Sequence, residues 1–138
     1  VTGLAWSCQN AEELTYPRGT FDAYTIAFGI RNVTHIDRAL AEAHRVLKYD
    51  GRFFCLAFSD VEWPGFQQAY DIYSHRLVPR IGKAIAGDED SYRYLVESIR
   101  RFPPKQEFER MIRAAGFQNT RAEPIMGGLV AIHSGWKV

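Results

Sequence analysis

The sequence has 138 residues, of which 46% are hydrophobic and 24% are charged, a composition typical of one soluble globular domain. There are 17 basic and 16 acidic side chains, and this near-balance excludes the strong positive field of a nucleic-acid-binding protein. Two cysteines are too few for a disulfide framework and favour a reducing compartment. No apolar run approaches the roughly 20 residues of a membrane-spanning helix. The chain begins at Val1 rather than Met, which suggests a fragment.

The first half of the chain alternates between apolar runs and a helical pattern. Residues 2–7 form a short apolar run that predicts a strand, and residues 21–28 form a second run, rich in aromatic and β-branched side chains. Thr34 is placed to cap a helix and Gly51 to end it. The apolar residues between them recur at helical spacing: Ile36, Leu40, Ala43 and Leu47.

The next run, residues 52–58, is continuously apolar, as in a strand buried on both faces. Strand, helix and strand in this order predict a right-handed βαβ unit with parallel strands. Residues 64–101 are mostly helical in pattern. Pro103-Pro104 opens another helix, which Gly116 closes. Two final strand-like runs flank Met126-Gly127-Gly128, so the sequence predicts an α/β fold with an antiparallel hairpin at its edge.

Polar residues follow the predicted strands, where an open parallel sheet binds its ligands. Asn10 and Ala11 offer a side-chain amide and a backbone N–H to an adenine edge, although a plain turn would look the same. Gly29 allows close approach of the backbone to a ligand, and Arg31 could hold a negatively charged oxygen. An arginine here could equally cap a helix or pair with a surface acid.

Other chemistries find little support. The four histidines have no metal-ligand spacing, so no metal is expected. The chain has no Gly-x-Ser-x-Gly, Gly-x-Gly-x-x-Gly or P-loop motif. Residues 66–86 interleave apolar and basic side chains, which suits a lid over an apolar substrate, a lip on a membrane surface, or a helix pair packed on the sheet. A similar apolar face further on comprises Tyr92, Leu95, Val96 and Ile99.

Seven segments carry long and specific motifs. They are YTIAFGIRNVT at 24–34, RVLK at 45–48, YDIYS at 70–74, PRIG at 79–82, IAGD at 85–88, SYRYLVESIRRFP at 91–103 and VAIHSG at 130–135. Together they closely resemble the UbiE-type C-methyltransferases of ubiquinone and menaquinone biosynthesis. The resemblance covers nearly the whole chain and is strongest to the mitochondrial and related bacterial branch.

The resemblance implies a class I methyltransferase with a Rossmann-like α/β sheet and the strand order 3-2-1-4-5-7-6. Residues 1–138 would be the C-terminal part of a single methyltransferase domain, with strands 3–7 present and the first βαβ unit missing. The complete protein would be an enzyme that uses S-adenosylmethionine to methylate a ring carbon of a polyprenylated benzoquinol. The missing unit would hold the glycine-rich loop and the acid that binds the cofactor ribose.

The family's functional positions can be matched to residues of this chain. Asn10 and Ala11 match the pair that contacts the adenine, and Ala27 stands where bacterial members often have a cofactor-contacting serine. Arg31 and Asn32 match the catalytic pair at the mouth of the site, beside the reacting methyl group. We expect Arg31 to stabilise a developing phenolate and to act through a water or a neighbouring tyrosine, because arginine is too basic to accept the proton.

Tyr70, Tyr73 and Arg100 match positions expected near the substrate, and His75 is a candidate base. The chain also departs from the family pattern. Its turn after residue 48 reads Tyr-Asp-Gly instead of Pro-Gly-Gly, and Thr15 stands where a proline is usual. Ala57 replaces an acid, a change that would weaken substrate positioning.

The resemblance further implies partners and a location. The expected partners are the quinol substrate, other quinone-biosynthesis proteins, a second copy of the chain and a membrane surface. The expected location is the matrix side of the mitochondrial inner membrane, as a peripheral protein, or the bacterial cytoplasm. Benzoquinol and naphthoquinol both remain open as substrates. The competing interpretation is a non-catalytic truncated module that binds quinone-pathway proteins, and a nicotinamide dehydrogenase half has only the sheet pattern in its favour.

Overall fold

The computed structural model describes residues 3–59, 94, 97, 101–128 and 130–138. The strands and α-helices in these ranges are β1 (Phe21–Ala27), α1 (Ile36–Val46), β2 (Leu47–Phe58), α2 (Lys105–Ala114), β3 (Gln118–Ile125) and β4 (Val130–Trp136). Two 3-10 turns, Ile30–Asn32 and Met126–Gly128, follow β1 and β3.

The strands form one mixed sheet in the order β1-β2-β4-β3. β1 and β2 are parallel and joined through α1, as predicted, whereas β4 is antiparallel to both of its neighbours. The predicted hairpin is confirmed: Met126–Gly128 joins β3 to β4, and Gly127 and Gly128 both have positive φ angles, which glycine adopts without strain. The order matches strands 4-5-7-6 of the expected methyltransferase sheet.

Both helices pack on the same face of the sheet. Leu40 of α1 and Ile112 of α2 are fully buried against Phe53 of β2. The Phe53 ring stacks on Phe117, which follows α2, with centroids 5.0 Å apart. The predicted end of the second helix is also confirmed, because Gly116 follows α2 with a φ of 111° and donates its N–H to Arg113.

The opposite face of the sheet is less covered than the sequence predicts. In β2 the residues alternate between buried positions, such as Phe53 and Cys55, and half-buried ones, such as Phe54 and Leu56. Ala27 lies beside Leu56 in register and is exposed. The expectation that residues 52–58 are buried on both faces is therefore wrong for the described part of the chain, because α1 and α2 both cross on one side.

The predicted first strand is also not formed. Residues 3–9 contain no strand, and a single bridge between Asn10 and Glu13 is the only sheet-type pairing that the structure records there. A strand needs a neighbour to accept its backbone hydrogen bonds. In the expected order strand 3 pairs with strand 2, and the described residues offer no such neighbour.

The start of α1 differs from the prediction as well. The residue before the helix is His35 rather than Thr34, and within the described structure its side chain makes no capping hydrogen bond. Glu12, from a distant loop, instead holds the two residues that precede the helix. Its Oε2 accepts a hydrogen bond from the backbone N–H of Thr34 at 3.2 Å, and its Oε1 lies 2.9 Å from His35 Nδ1.

The end of α1 does not use a glycine. The helix ends at Val46, five residues before Gly51, which lies inside β2. Lys137 takes over the capping, because its buried Nζ donates to the carbonyl of Leu47 at 2.7 Å. Gly51 is needed for a different reason: a Cβ there would lie 2.6 Å from the carbonyl oxygen of Lys48.

Residues 10–16 are fixed to α1 by an ion pair on that helix. Arg45 donates hydrogen bonds to both carboxylate oxygens of Glu42, to the carbonyl of Tyr16 at 2.8 Å and to that of Leu14 at 3.0 Å. Glu42 also accepts the backbone N–H of Leu14 at 2.7 Å. The hydrogen bonds from Arg45 lower the pKa of Glu42. We call this arrangement the Arg45 clamp.

One histidine lies in the core without a polar partner. His133 of β4 is 1% exposed, and its ring packs edge-on against Phe108 at 4.7 Å. Its Nδ1 is buried and has no hydrogen-bond partner in the described structure. Burial, with a smaller contribution from the charge of Lys105, lowers the pKa of His133 to about 4.

The Arg45 clamp predicts a loss of stability when its arginine is removed. We expect Arg45→Met to lower the free energy of unfolding, because it leaves partly buried acceptors without donors. The loss is largest above the unfolded pKa of Glu42 and shrinks as the pH falls through its lowered folded pKa. Urea unfolding measures it. Arg110→Met is the control, because the Arg110–Glu107 pair on α2 is exposed. Equal losses in the two variants would contradict the prediction.

The buried His133 predicts acid sensitivity. Its folded pKa of about 4 lies below the unfolded value of about 6.5, so folding favours the neutral ring. Stability is therefore complete above pH 6.5 and falls as the pH drops towards 4, by up to about 3 kcal/mol. His133→Leu removes this contribution and flattens the pH dependence of the urea midpoint. His35→Leu, at a half-exposed side chain, leaves most of it in place. An unchanged pH dependence in His133→Leu would refute this account.

Candidate active site

The turn after β1 positions the two residues predicted to be catalytic. Ile30 is buried and anchors the 3-10 turn. Within this turn the backbone N–H of Asn32 donates to the carbonyl of Gly29 at 3.0 Å. Arg31 and Asn32 therefore lie just beyond the carboxyl end of β1, as the sequence predicts. Gly29 has an ordinary helical conformation, and Phe28 is the residue with a positive φ, of 58°.

An open cleft of about 430 Å³ lies at this end of the sheet. We call it the Arg31 cleft. It is lined by Arg31, Asn32, Val33, Thr34, Ile36, Tyr94, Arg101 and Phe102. Polar and cationic groups stand beside apolar ones, which suits a ring that carries oxygen substituents.

Asn32 is the centre of the polar group in this cleft. Its Oδ1 accepts a hydrogen bond from Arg31 Nη1 at 3.3 Å and another from the Tyr94 hydroxyl at 3.4 Å. A guanidinium and a phenol are thereby oriented by the same amide oxygen. Such a pair can stabilise negative charge on a ligand oxygen and can exchange a proton with it.

Tyr94 and Arg101 are site residues that the sequence did not predict. Both lie in the long motif of residues 91–103, but only Arg100 of that motif was assigned to the substrate. One signal was available for Tyr94. It stands outside the spacing of the apolar face that begins at Tyr92, so the sequence pattern leaves it without a place in the core.

The predicted adenine-binding residues lie on the loop that the Arg45 clamp holds. Asn10 is exposed, and its Oδ1 accepts the N–H of Glu12 at 3.0 Å, while Ala11 packs against the core. Glu12 joins this loop to the Arg31 cleft through its contact with Thr34, which lines the cleft. Desolvation raises the pKa of Glu12, but the hydrogen bonds from His35 and Thr34 outweigh it, so the pKa is lowered. The acid therefore stays ionised and keeps accepting these bonds.

Among the described residues, Ala27 does not line the Arg31 cleft. Ala27 is the last residue of β1 and is exposed on the open face of the sheet. The candidate substrate residues Tyr70, Tyr73 and Arg100, like the candidate base His75, lie outside the described residues.

Ala57, which stands where the resemblance implies an acid, lies close to Arg31. The two residues line the same small cavity of about 10 Å³, between the rings of Phe28 and Phe58. Ala57 itself is buried. A cavity of this size has no room for a carboxylate with the neighbouring side chains in their present positions.

The described residues contain neither a metal-ligand cluster nor a membrane-spanning helix. In the part of the chain that the structure describes, no group of three or more His, Cys, Asp and Glu side chains could hold a metal ion. The helices in the same part are too short or too polar to cross a membrane.

Comparisons with known proteins identify the family of the chain. The model of the ubiE/COQ5 methyltransferase family matches residues 1–137. Over all 138 residues the chain is 61% identical to the ubiquinone/menaquinone biosynthesis C-methyltransferase UbiE of Zymomonas mobilis, of which it covers 57%. It is 60% identical to the mitochondrial 2-methoxy-6-polyprenyl-1,4-benzoquinol methylase of Rattus norvegicus, of which it covers 42%.

The chain thus spans about half the length of the curated relatives it matches. Among solved structures, a SAM-dependent methyltransferase from Thermotoga maritima superposes with a TM-score of 0.63 at 18% identity. The match covers 93% of this chain and 61% of the other. The sheet is therefore that of the SAM-dependent methyltransferases, and the chain belongs to the ubiE/COQ5 methyltransferase family.

Proposed function

We propose that the chain is the C-terminal part of a methyltransferase domain that methylates a ring carbon of a polyprenylated benzoquinol, with S-adenosylmethionine as donor. The observation that carries the proposal is the junction at Glu12, where the loop of Asn10 and Ala11 meets the cleft of Arg31. A cofactor loop and a substrate cleft must adjoin for a methyl group to pass between them. The names of the rat and Zymomonas relatives support a quinol as the acceptor.

The residues present fit the adenine end of the cofactor. Asn10 keeps its amide NH₂ available after its oxygen accepts the N–H of Glu12, and Ala11 offers a backbone N–H beside it. Ala27, at the end of β1, is proposed as a further contact. When bound, S-adenosylmethionine supplies an electrophilic methyl group on a sulfonium.

The residues of the Arg31 cleft would prepare the acceptor. A benzoquinol carbon ortho to an oxygen becomes nucleophilic when the hydroxyl on that oxygen loses its proton. Arg31 would hold the resulting anion, and Asn32 would keep the guanidinium oriented. Tyr94 is 52% exposed and lies beside the same amide oxygen, so its hydroxyl could pass the proton towards solvent. Tyr70, Tyr73 and Arg100 are proposed as further substrate contacts.

A polyprenylated acceptor is a membrane lipid, so we also propose that the complete protein works at a membrane surface. The proposed location is the matrix side of the mitochondrial inner membrane, as the rat relative's name suggests, or the cytoplasmic side in a bacterium. Other quinone-biosynthesis proteins and a second copy of the chain are the proposed partners.

The second candidate function is a non-catalytic module that binds quinone-pathway proteins. The observation in its favour is the open sheet face, where half-buried Phe54 and Leu56 lie beside exposed Ala27. Apolar side chains left on a sheet face favour contact with another surface. Binding of the cofactor distinguishes the two functions.

The first test is calorimetric titration, with S-adenosylmethionine, of a full-length protein that contains the chain. We expect one-to-one binding, and a loss of about tenfold in affinity for Asn10→Ala, which removes a hydrogen-bonding amide. Gln106→Ala is the control, because Gln106 is an exposed residue of α2. Absence of heat from the folded full-length protein would favour the non-catalytic module, and equal effects of the two variants would remove Asn10 from the site.

The role of Arg31 is tested in a full-length protein that contains the chain. We expect Arg31→Gln to lower kcat by about 100-fold or more, the usual effect of removing one group that stabilises a developing oxyanion. The affinity for S-adenosylmethionine should change by about twofold at most, because the guanidinium acts on the acceptor. Arg38→Gln, at an exposed position on α1, is the control. Parallel losses of turnover and of cofactor affinity would mean that Arg31 only shapes the cofactor pocket.

A further inference from the structure

A second open cleft, of about 490 Å³, lies at the other end of the sheet. It is lined by Arg52, Asn119, Thr120, Arg121, Ser134 and Trp136. Arg52 of β2 lies opposite Ala23, near the start of β1, and opposite Trp136, the last residue of β4, whereas the Arg31 cleft lies beyond the end of β1. We call this second region the Arg52 cleft. It shares no lining residue with the Arg31 cleft and plays no part in the proposed methyl transfer.

Aromatic rings hold the Arg52 side chain in place. Its Cζ lies 4.6 Å from the ring centroid of Phe54 and 4.6 Å from that of Trp136. Its Nε is buried and has no hydrogen-bond partner in the described structure. Contact with ring faces fixes a guanidinium without using its N–H groups. The guanidinium of Arg52 is therefore oriented in advance, and its terminal N–H groups can serve a ligand in the cleft.

The surrounding groups match an oxyanion. Arg121, in register with Ser134, adds a second guanidinium, and Ser134 and Asn119 add a hydroxyl and an amide. None of the lining residues is acidic, and neither arginine forms an ion pair within the described part of the chain. Two uncompensated cations in one concavity attract a doubly charged anion more strongly than a singly charged one.

Two acids lie near the edge of the cleft. Glu109 of α2 accepts a hydrogen bond from the Thr120 hydroxyl at 3.2 Å, so it is engaged with the strand. Glu123 is exposed on β3, two residues beyond Arg121. Neither acid lines the cleft, so neither occupies the position where a ligand would sit.

We propose that the Arg52 cleft binds a phosphate group. Two guanidinium forks match the paired oxygens of a phosphate, and the hydroxyl of Ser134 and the amide of Asn119 can serve its remaining oxygens. The cleft is several times larger than a phosphate ion, so it has room for the group that carries the phosphate. A soluble phosphate ester and a phospholipid headgroup share this chemistry.

The test is an NMR titration of the ¹⁵N-labelled chain with inorganic phosphate at constant ionic strength, with chloride as the competing salt. We expect saturable shifts of the Arg121 and Ser134 amides and of the Trp136 indole N–H. Arg121→Gln, at an exposed edge position, should weaken binding by about tenfold without disturbing the fold. Arg52→Lys keeps the charge but loses the fork, and it should weaken binding similarly. Arg113→Gln, exposed on α2, is the control.

Glycerol phosphate and lipid vesicles distinguish a soluble phosphate ester from a phospholipid headgroup as the source of the phosphate group. Binding of glycerol phosphate indicates a soluble ester, whereas selective binding to phosphatidylcholine vesicles that contain phosphatidic acid indicates a lipid headgroup. Shifts that do not saturate, that chloride reproduces, or that survive in both Arg121→Gln and Arg52→Lys would overturn the proposal. These outcomes do not depend on whether the chain binds S-adenosylmethionine.

Discussion

The ion pair between Glu42 and Arg45 determines where the proposed cofactor loop lies. Residues 10–16 contain neither helix nor strand, so their backbone groups must find hydrogen bonds outside regular structure. The clamp supplies three of them, two through the Arg45 guanidinium and one through the Glu42 carboxylate. The two side chains lie one turn apart on α1, whose other face is buried in the core. An irregular loop therefore acquires the rigidity of the helix beneath it.

Glu12 extends this support to the Arg31 cleft. Its carboxylate reaches from the loop to the backbone of Thr34 and to His35, immediately after the turn that carries Arg31 and Asn32. The two halves of the proposed site are thus held to each other as well as to α1. Methyl transfer requires donor and acceptor to be aligned, and a shared support reduces the motion that would separate them.

Local patterns in the sequence predicted much of this fold. Apolar spacing located α1, α2 and β2, and the glycine pair after Met126 located the hairpin, because each signal lies within the element it describes. The errors share a cause: a strand at residues 2–7 needs a neighbouring strand, and the ends of α1 depend on Glu12 and Lys137, which are remote in sequence. Spacing left the site residues undecided, and the family resemblance selected them. Tyr94 was missed because its contact with Asn32 spans 62 residues.

Arginine has two distinct roles in this fold, and the partners of its N–H donors distinguish them. Arg45 donates its hydrogen bonds to acceptors inside the protein, namely Glu42 and two backbone carbonyls. Its charge is therefore compensated, and its role is structural. Arg52 is held just as firmly, but by ring faces that accept none of its N–H groups. A cation that is fixed in place and left uncompensated costs the protein electrostatic free energy unless an anion arrives. The contrast between these two arginines is therefore the physical reason to regard the Arg52 cleft as a binding site rather than as part of the packing.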